Sequence, residues 1–75
     1  MSNGRSQITL FNNLQKSMQV GLEPEGDCIE VPVGVRCLIR GQDDASDFEL
    51  VFEDDLISVH LDSIKEVELD GVRVR

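Results

Sequence analysis

The only histidine, His60, is the first residue to consider for catalysis. The alternation of polar and apolar residues places it opposite Glu49 on a neighbouring strand, where the carboxylate would favour its charged form. Ser58 lies two positions away on the same strand face. A serine nucleophile also needs a group that orients its histidine and an oxyanion hole, and no sequence pattern provides them. We therefore predict that the chain is not an enzyme. An enzyme with a site near His60 is the least favoured of the functions that we consider.

The two cysteines, Cys28 and Cys37, flank the Pro-Val-Gly of residues 32–34. This tripeptide suits a three-residue hairpin loop, because Pro presets φ and Gly accepts the left-handed conformation. The loop sets Ile29 opposite Cys37, which places the two cysteines on opposite faces of the sheet. The pattern therefore predicts neither a disulfide nor a metal site, since one histidine and two cysteines cannot supply four ligands. The same register pairs Val31 with Val35, Glu30 with Arg36 and Cys28 with Leu38.

Two clusters of carboxylates supply the oxygen ligands that hard cations such as Ca²⁺ prefer. Neither cluster has the spacing or the glycine of a calcium-binding loop, so the sequence predicts no metal and no cofactor. The adjacent aspartates of the second cluster suit a tight turn, because Asp tolerates turn conformations. The clusters are Asp43, Asp44 and Asp47, within the loop of residues 41–47, and Glu53, Asp54 and Asp55.

The balance of charge restricts the partners that the chain can bind. Fifteen acidic and seven basic residues give a net charge of −8. Such a charge repels the phosphates of nucleic acids and favours a basic protein partner. No apolar run approaches the ~20 residues that span a bilayer, and residues 1–10 lack the apolar stretch of a secretory signal. We therefore expect a cytoplasmic protein that binds neither nucleic acid directly nor membranes.

The chain length of 75 residues fits one domain, residues 1–75, in which residues 1–6 form a loose polar end. The core must consist mainly of Val, Ile and Leu, because the chain has three Phe and no Trp or Tyr. Apolar residues recur mostly at every second position, which is typical of β-strands.

Two turns define hairpins in the carboxy-terminal half. The aspartates at 54 and 55 form a two-residue turn, and Asp70-Gly71 is a strong type I′ signal. A third turn at residues 62–64 would join these hairpins into one antiparallel meander from Phe48 to Arg75. The first register pairs Phe52 with Ile57, Leu50 with Val59 and Phe48 with Leu61. The second pairs Leu69 with Val72, Val67 with Val74, Glu68 with Arg73 and Glu66 with Arg75.

The amino-terminal third leaves two interpretations open. Apolar residues alternate from Leu14 to Leu22, which favours a strand that ends before Pro24. In that case Asn12 and Asn13 would turn a hairpin between residues 8–11 and 14–22. The alternative is a helix over residues 9–20, although adjacent asparagines disfavour a helix interior.

We predict an all-β fold, a small single-domain antiparallel sandwich, roll or barrel of about six to eight short strands, with residues 8–20 as strand or helix. The predicted inward residues are Met18, Val20, Leu22, Ile29, Val31, Val35, Cys37, Ile39, Phe48, Leu50, Phe52, Ile57, Val59, Leu61, Val67, Leu69, Val72 and Val74.

The sequence favours a small acidic, non-catalytic protein-interaction or regulatory module. Its surface would include surplus apolar residues on the outward face of the Phe48–Leu61 hairpin, together with charged neighbours. Such a patch suits a protein partner, in particular a basic one, or a second copy in a homodimer. The alternative is an acidic decoy that inhibits a basic nucleic-acid-binding protein or a toxin. The candidate surface residues are Val51, Leu56, His60, Glu49 and Glu53.

Overall fold

The part of the chain that the structure describes forms eight short β-strands. The computed structural model describes residues 7–41, 48–61 and 63–75. Within these ranges all regular secondary structure is strand, which confirms the predicted all-β class. The strands are β1 (Gln7–Phe11), β2 (Met18–Glu23), β3 (Asp27–Val31), β4 (Arg36–Gly41), β5 (Glu49–Glu53), β6 (Leu56–His60), β7 (Ile64–Leu69) and β8 (Val72–Arg73).

The strands form two sheets of four. Sheet I has the order β1-β4-β7-β8, and sheet II has the order β3-β2-β6-β5. All neighbouring strands are antiparallel except β2 and β6, which run parallel. Buried residues from both sheets form one core cluster, as in a sandwich.

Both short hairpin turns are confirmed. The β5–β6 hairpin pairs Phe52 with Ile57 and Glu49 with His60. At the β7–β8 turn, Asp70 and Gly71 have φ values of 49° and 84°, the two left-handed residues that a type I′ turn requires. The remaining predicted pairs found in these hairpins are Leu50 with Val59, Leu69 with Val72, and Glu68 with Arg73.

The hairpin predicted around residues 32–34 is wrong. β3 lies in sheet II beside β2, whereas β4 lies in sheet I between β1 and β7. The turn itself forms, with Gly34 at φ 79° and Val35 N donating to Pro32 O at 3.2 Å. It carries the chain from one sheet to the other, because an alternating pattern fixes which face is apolar but not which strand becomes the neighbour.

The predicted meander fails for the same reason. β6 belongs to sheet II and β7 to sheet I, so the chain changes sheets between them. The pairing of β7 with the carboxy-terminal residues also contains a β-bulge. Val67 O accepts a hydrogen bond from Val74 N at 2.8 Å, whereas Val67 N donates one to Arg75 O at 3.0 Å, so two residues lie opposite Val67. The predicted pair of Glu66 with Arg75 is therefore wrong. Arg75 instead forms ion pairs with Glu25 and Asp27.

The strand interpretation of the amino-terminal third is confirmed for Met18–Glu23, and the helix over residues 9–20 is wrong. The strand is shorter than predicted, since Leu14 lies in the loop between β1 and β2 and is exposed. β1 and β2 do not form the predicted hairpin, because they belong to different sheets.

Most of the predicted inward residues are buried or pack against the core, including Val20, Leu22, Ile39 and Val67. The errors lie on or beside the edge strands β5 and β8, where the opposite sheet does not cover the side chains. Exposed there, contrary to prediction, are Phe48, Phe52, Val72 and Val74. Core contacts that the sequence did not predict come from Ile8, Leu10 and Ile64.

An ion-pair cluster lies on the outer face of sheet I. Arg40 Nη1 donates to Oε2 of Glu66 and, at 2.8 Å, to Oε2 of Glu68. The three residues are adjacent because β4 pairs with β7 in a register that sets Arg40 opposite Glu66. The hydrogen bond from Arg40 lowers the pKa of Glu66 below its ordinary value of 4.5.

Replacing Glu66 with Gln should flatten the acid side of the stability profile. Because the folded-state pKa of Glu66 is depressed, its contribution is complete above the unfolded pKa and is lost as the pH falls through the folded one. We expect E66Q to be less stable than wild type at pH 7 and to lose less stability below about pH 4.5. Thermal unfolding from pH 7 to pH 3 measures this, with the exposed Glu30→Gln as control. If the stabilities of wild type and E66Q changed in parallel with pH, the proposed contribution of Glu66 to stability would be refuted.

Candidate functional site

The predicted surface residues lie on one face of the β5–β6 hairpin. Glu49 is opposite His60 and Glu53 is opposite Leu56. Val51 lies between the two glutamates on β5. His60 and both glutamates are exposed, whereas Val51 and Leu56 are half-buried. The structure therefore places all five side chains on a common surface, the hairpin face, defined as Glu49, Val51, Glu53, Leu56 and His60.

A groove of about 470 Å³ opens at the Glu53–Leu56 end of this face. Its walls are the loop between β1 and β2 and the turn between β5 and β6. Three of its apolar side chains are among the most exposed in the described structure: Phe11 at 46%, Leu14 at 52% and Phe52 at 70%. The apolar side chains that line the groove are those of Phe11, Leu14, Met18, Phe52, Leu56 and Ile57.

The two walls meet because β2 and β6 are parallel neighbours. Their register sets Gln19 opposite Leu56, so both strands begin at the same end of sheet II. The β1–β2 loop precedes β2 and the Asp54-Asp55 turn precedes β6. A parallel pair therefore brings two segments from distant parts of the chain side by side.

Asn12 holds the loop wall in place. Its side chain is completely buried, and Nδ2 donates to Val31 O at 2.8 Å and Lys16 O at 2.9 Å. Oδ1 accepts from Leu14 N at 2.9 Å, and the Asn12 carbonyl accepts from Gly34 N at 2.8 Å. One amide thus ties the groove loop to the end of β3 by hydrogen bonds to backbone groups of both segments.

Acidic side chains form the rim of the groove. Asp55 Oδ1 accepts a hydrogen bond from Lys16 Nζ at 2.8 Å, and this ion pair joins the two walls. The bond from Lys16 lowers the pKa of Asp55. Glu53 and Asp54 are exposed beside it. Three carboxylates and one ammonium give this rim a net charge of −2.

An aromatic–cation contact lies at the base of the loop wall. The Arg36 guanidinium is 4.8 Å from the centroid of the Phe11 ring, within the range in which a cation is attracted to an aromatic face. Phe11 and Arg36 are opposite each other on β1 and β4. The contact orients the ring while leaving almost half of the Phe11 surface exposed.

The other residues considered for chemistry are dispersed. Ser58 is buried on the same face as His60, and Cys28 and Cys37 are free thiols. Cys28 is exposed, with Sγ 3.2 Å from Gln19 Oε1, whereas burial raises the pKa of Cys37 to about 11. Across the described residues, no group of three His, Cys, Asp or Glu is arranged to hold a metal ion. The loop acids Asp43, Asp44 and Asp47 lie outside those residues.

The residues predicted for the surface form the hairpin face, and one of them, Leu56, also lines the groove. The other apolar residues of the groove were not predicted to belong to a site. Phe52 was predicted in the core because it pairs with Ile57, and that pairing is correct. Leu14 was predicted as the start of the strand that ends before Pro24. A detectable signal was the direct succession of Phe52, three acids and Leu56, in which a large apolar residue adjoins a turn that must face solvent.

Comparison with known proteins yields no relative. No protein-family model matches the chain, and no curated protein and no solved structure matches it. The described residues contain no helix of the length and hydrophobicity needed to cross a membrane.

Proposed function

We propose that the protein is a small acidic, non-catalytic protein-interaction module that binds a partner through the hairpin face and the groove. The observation that carries this proposal is the convergence of Phe11, Leu14 and Phe52 on one groove. Single exposed apolar residues are common on protein surfaces, but several around one concavity are typical of an interaction site. The continuity of the groove with the hairpin face at Glu53 and Leu56 extends the surface along sheet II.

The distribution of acidic residues favours this module over a decoy for nucleic acid. A decoy needs its carboxylates spread along one face. Glu30, Glu49 and Glu53 occupy the outer face of sheet II, whereas Glu66 and Glu68 lie on sheet I and bind Arg40. The acids are therefore divided between two outer faces, and part of their charge is neutralised.

Affinity capture with matched baits tests the proposal. Wild type, Phe52→Thr and Phe48→Thr would be used to capture proteins from an extract of the source organism, with identification by mass spectrometry. Phe48 is a matched control, because it is 49% exposed but does not line the groove. We expect at least one protein to be captured in similar amounts by wild type and F48T and in an amount about tenfold lower by F52T. A loss of this size is typical of an exposed anchor residue. Equal capture by all three baits would contradict the proposed surface.

A further inference from the structure

We infer that the groove binds a basic amphipathic segment of the partner protein, with apolar side chains in the groove and lysine or arginine against its rim. This inference rests on the proposed function and specifies the chemistry of the partner. It follows from two independent features of the groove, its shape and its charge.

The shape of the groove fits an apolar anchor. Its volume of about 470 Å³ falls in the range of pockets that enclose a small organic group. Phe11, Leu14 and Phe52 supply large, solvent-exposed apolar contact surfaces. Aromatic and aliphatic side chains in such concavities dominate the binding energy of protein interfaces.

The charge of the groove selects a cation beside that anchor. Lys16 already places its ammonium 2.8 Å from Asp55, which demonstrates how a lysine meets this rim. Glu53 and Asp54 remain exposed for a second cation from the partner. Phe52 adds an exposed ring, and the contact between Arg36 and Phe11 shows the same attraction within the chain.

The same charge argues against a second copy of this chain as the occupant. In a two-fold symmetric dimer that joined the two grooves, both acidic rims would lie in the same interface. Two chains of net charge −8 also repel each other over the distances relevant to association. A basic segment gains from both features of the groove, whereas a second copy gains only from the apolar one.

Fluorescence anisotropy with three labelled peptides tests the inference. The probes are an amphipathic peptide of leucine and lysine, the same peptide with glutamate for lysine, and the same peptide with serine for leucine. Only the leucine–lysine peptide should bind, and its affinity should fall as salt rises. We expect Phe52→Thr to weaken binding about tenfold and Phe48→Thr to leave it within about twofold.

Charge variants separate the rim from the overall acidity of the protein. Asp54→Asn should weaken binding of the leucine–lysine peptide by about threefold and reduce its salt dependence, because it removes a carboxylate beside the groove. Glu30→Gln removes an exposed carboxylate on β3 that does not line the groove. It should change the logarithm of the affinity by no more than half as much as Asp54→Asn. Circular dichroism verifies that each variant is folded.

Several outcomes would overturn the inference. These are equal binding of the leucine–glutamate peptide, equal weakening by F48T and F52T, and no binding of any peptide. A dimer in light scattering that F52T dissociates would also overturn it in favour of a second copy. If F52T still abolishes capture of a partner from extract, the interaction function stands and only the partner chemistry is wrong. If capture does not depend on Phe52, the proposed function itself fails.

Discussion

Asn12→Ala should lower the free energy of unfolding by about 3 kcal/mol, a large part of the stability of a small domain. The substitution removes both donors of the amide and its acceptor, and it leaves the carbonyl of Val31 buried without its side-chain partner. Each buried polar group that loses its partner costs about 1–3 kcal/mol. Asn12→Asp should be at least as severe, because a carboxylate cannot donate to the carbonyls of Val31 and Lys16.

The neighbouring residue provides the control for this prediction. Asn13 has the same side chain but is exposed, so Asn13→Ala should change stability by less than about 0.5 kcal/mol. Urea titration followed by far-ultraviolet circular dichroism measures both variants, since the chain has no Trp or Tyr for intrinsic fluorescence. Equal stabilities of N12A and N13A would show that the buried amide does not hold the groove loop.

Leu22→Ala should lower the free energy of unfolding by about 3 kcal/mol. Truncating a buried leucine removes its favourable transfer free energy and leaves a cavity. Leu22 is fully buried on β2, in the core shared by the two sheets. Leu14→Ala removes the same atoms from a groove residue that is 52% exposed. It should lower the free energy of unfolding by less than about 1 kcal/mol.

The same two leucines separate stability from binding. L22A should shift the urea midpoint while the fraction that remains folded still binds the leucine–lysine peptide. L14A should leave the midpoint close to that of wild type and weaken peptide binding, because Leu14 lines the groove. A larger loss of stability for L14A than for L22A would contradict the placement of β2 in the core.

Local sequence signals predicted local structure correctly. Asp70-Gly71 set the register of β7 and β8, and Asp54-Asp55 set that of β5 and β6. In both hairpins two residues determine the alignment, because the turn geometry allows few alternatives. The strand predicted by alternation over residues 14–22 is present, although it begins only at Met18.

Non-local pairing could not be predicted in the same way. β2 lies between β3 and β6, and Leu56, the first residue of its parallel partner, lies 37 positions after Gln19, the residue with which it pairs. Nothing in either strand distinguishes an antiparallel neighbour within a meander from a parallel neighbour in the other half of the chain. The alternating pattern is satisfied by both arrangements, so hairpins were predicted where the chain in fact changes sheets.

The groove was missed because it depends on that non-local pairing. Alternation placed Phe52 on the apolar face of β5, which is correct, but the face extends past the area that sheet I covers. Leu14 likewise continues the apolar series of β2 into the loop. Asn12 was interpreted as a turn residue, and its buried hydrogen bonds became visible only with the end of β3 beside it.

The most direct test of the account is the solution NMR of the wild-type chain, because the groove exists only if β2 and β6 are parallel neighbours. We predict backbone nuclear Overhauser contacts between Val20 and Ile57 and between Leu22 and Val59, in a parallel register. Contacts between Ile29 and Cys37, as in a hairpin around residues 32–34, without contacts between β2 and β6, would contradict both the fold and the proposed binding groove.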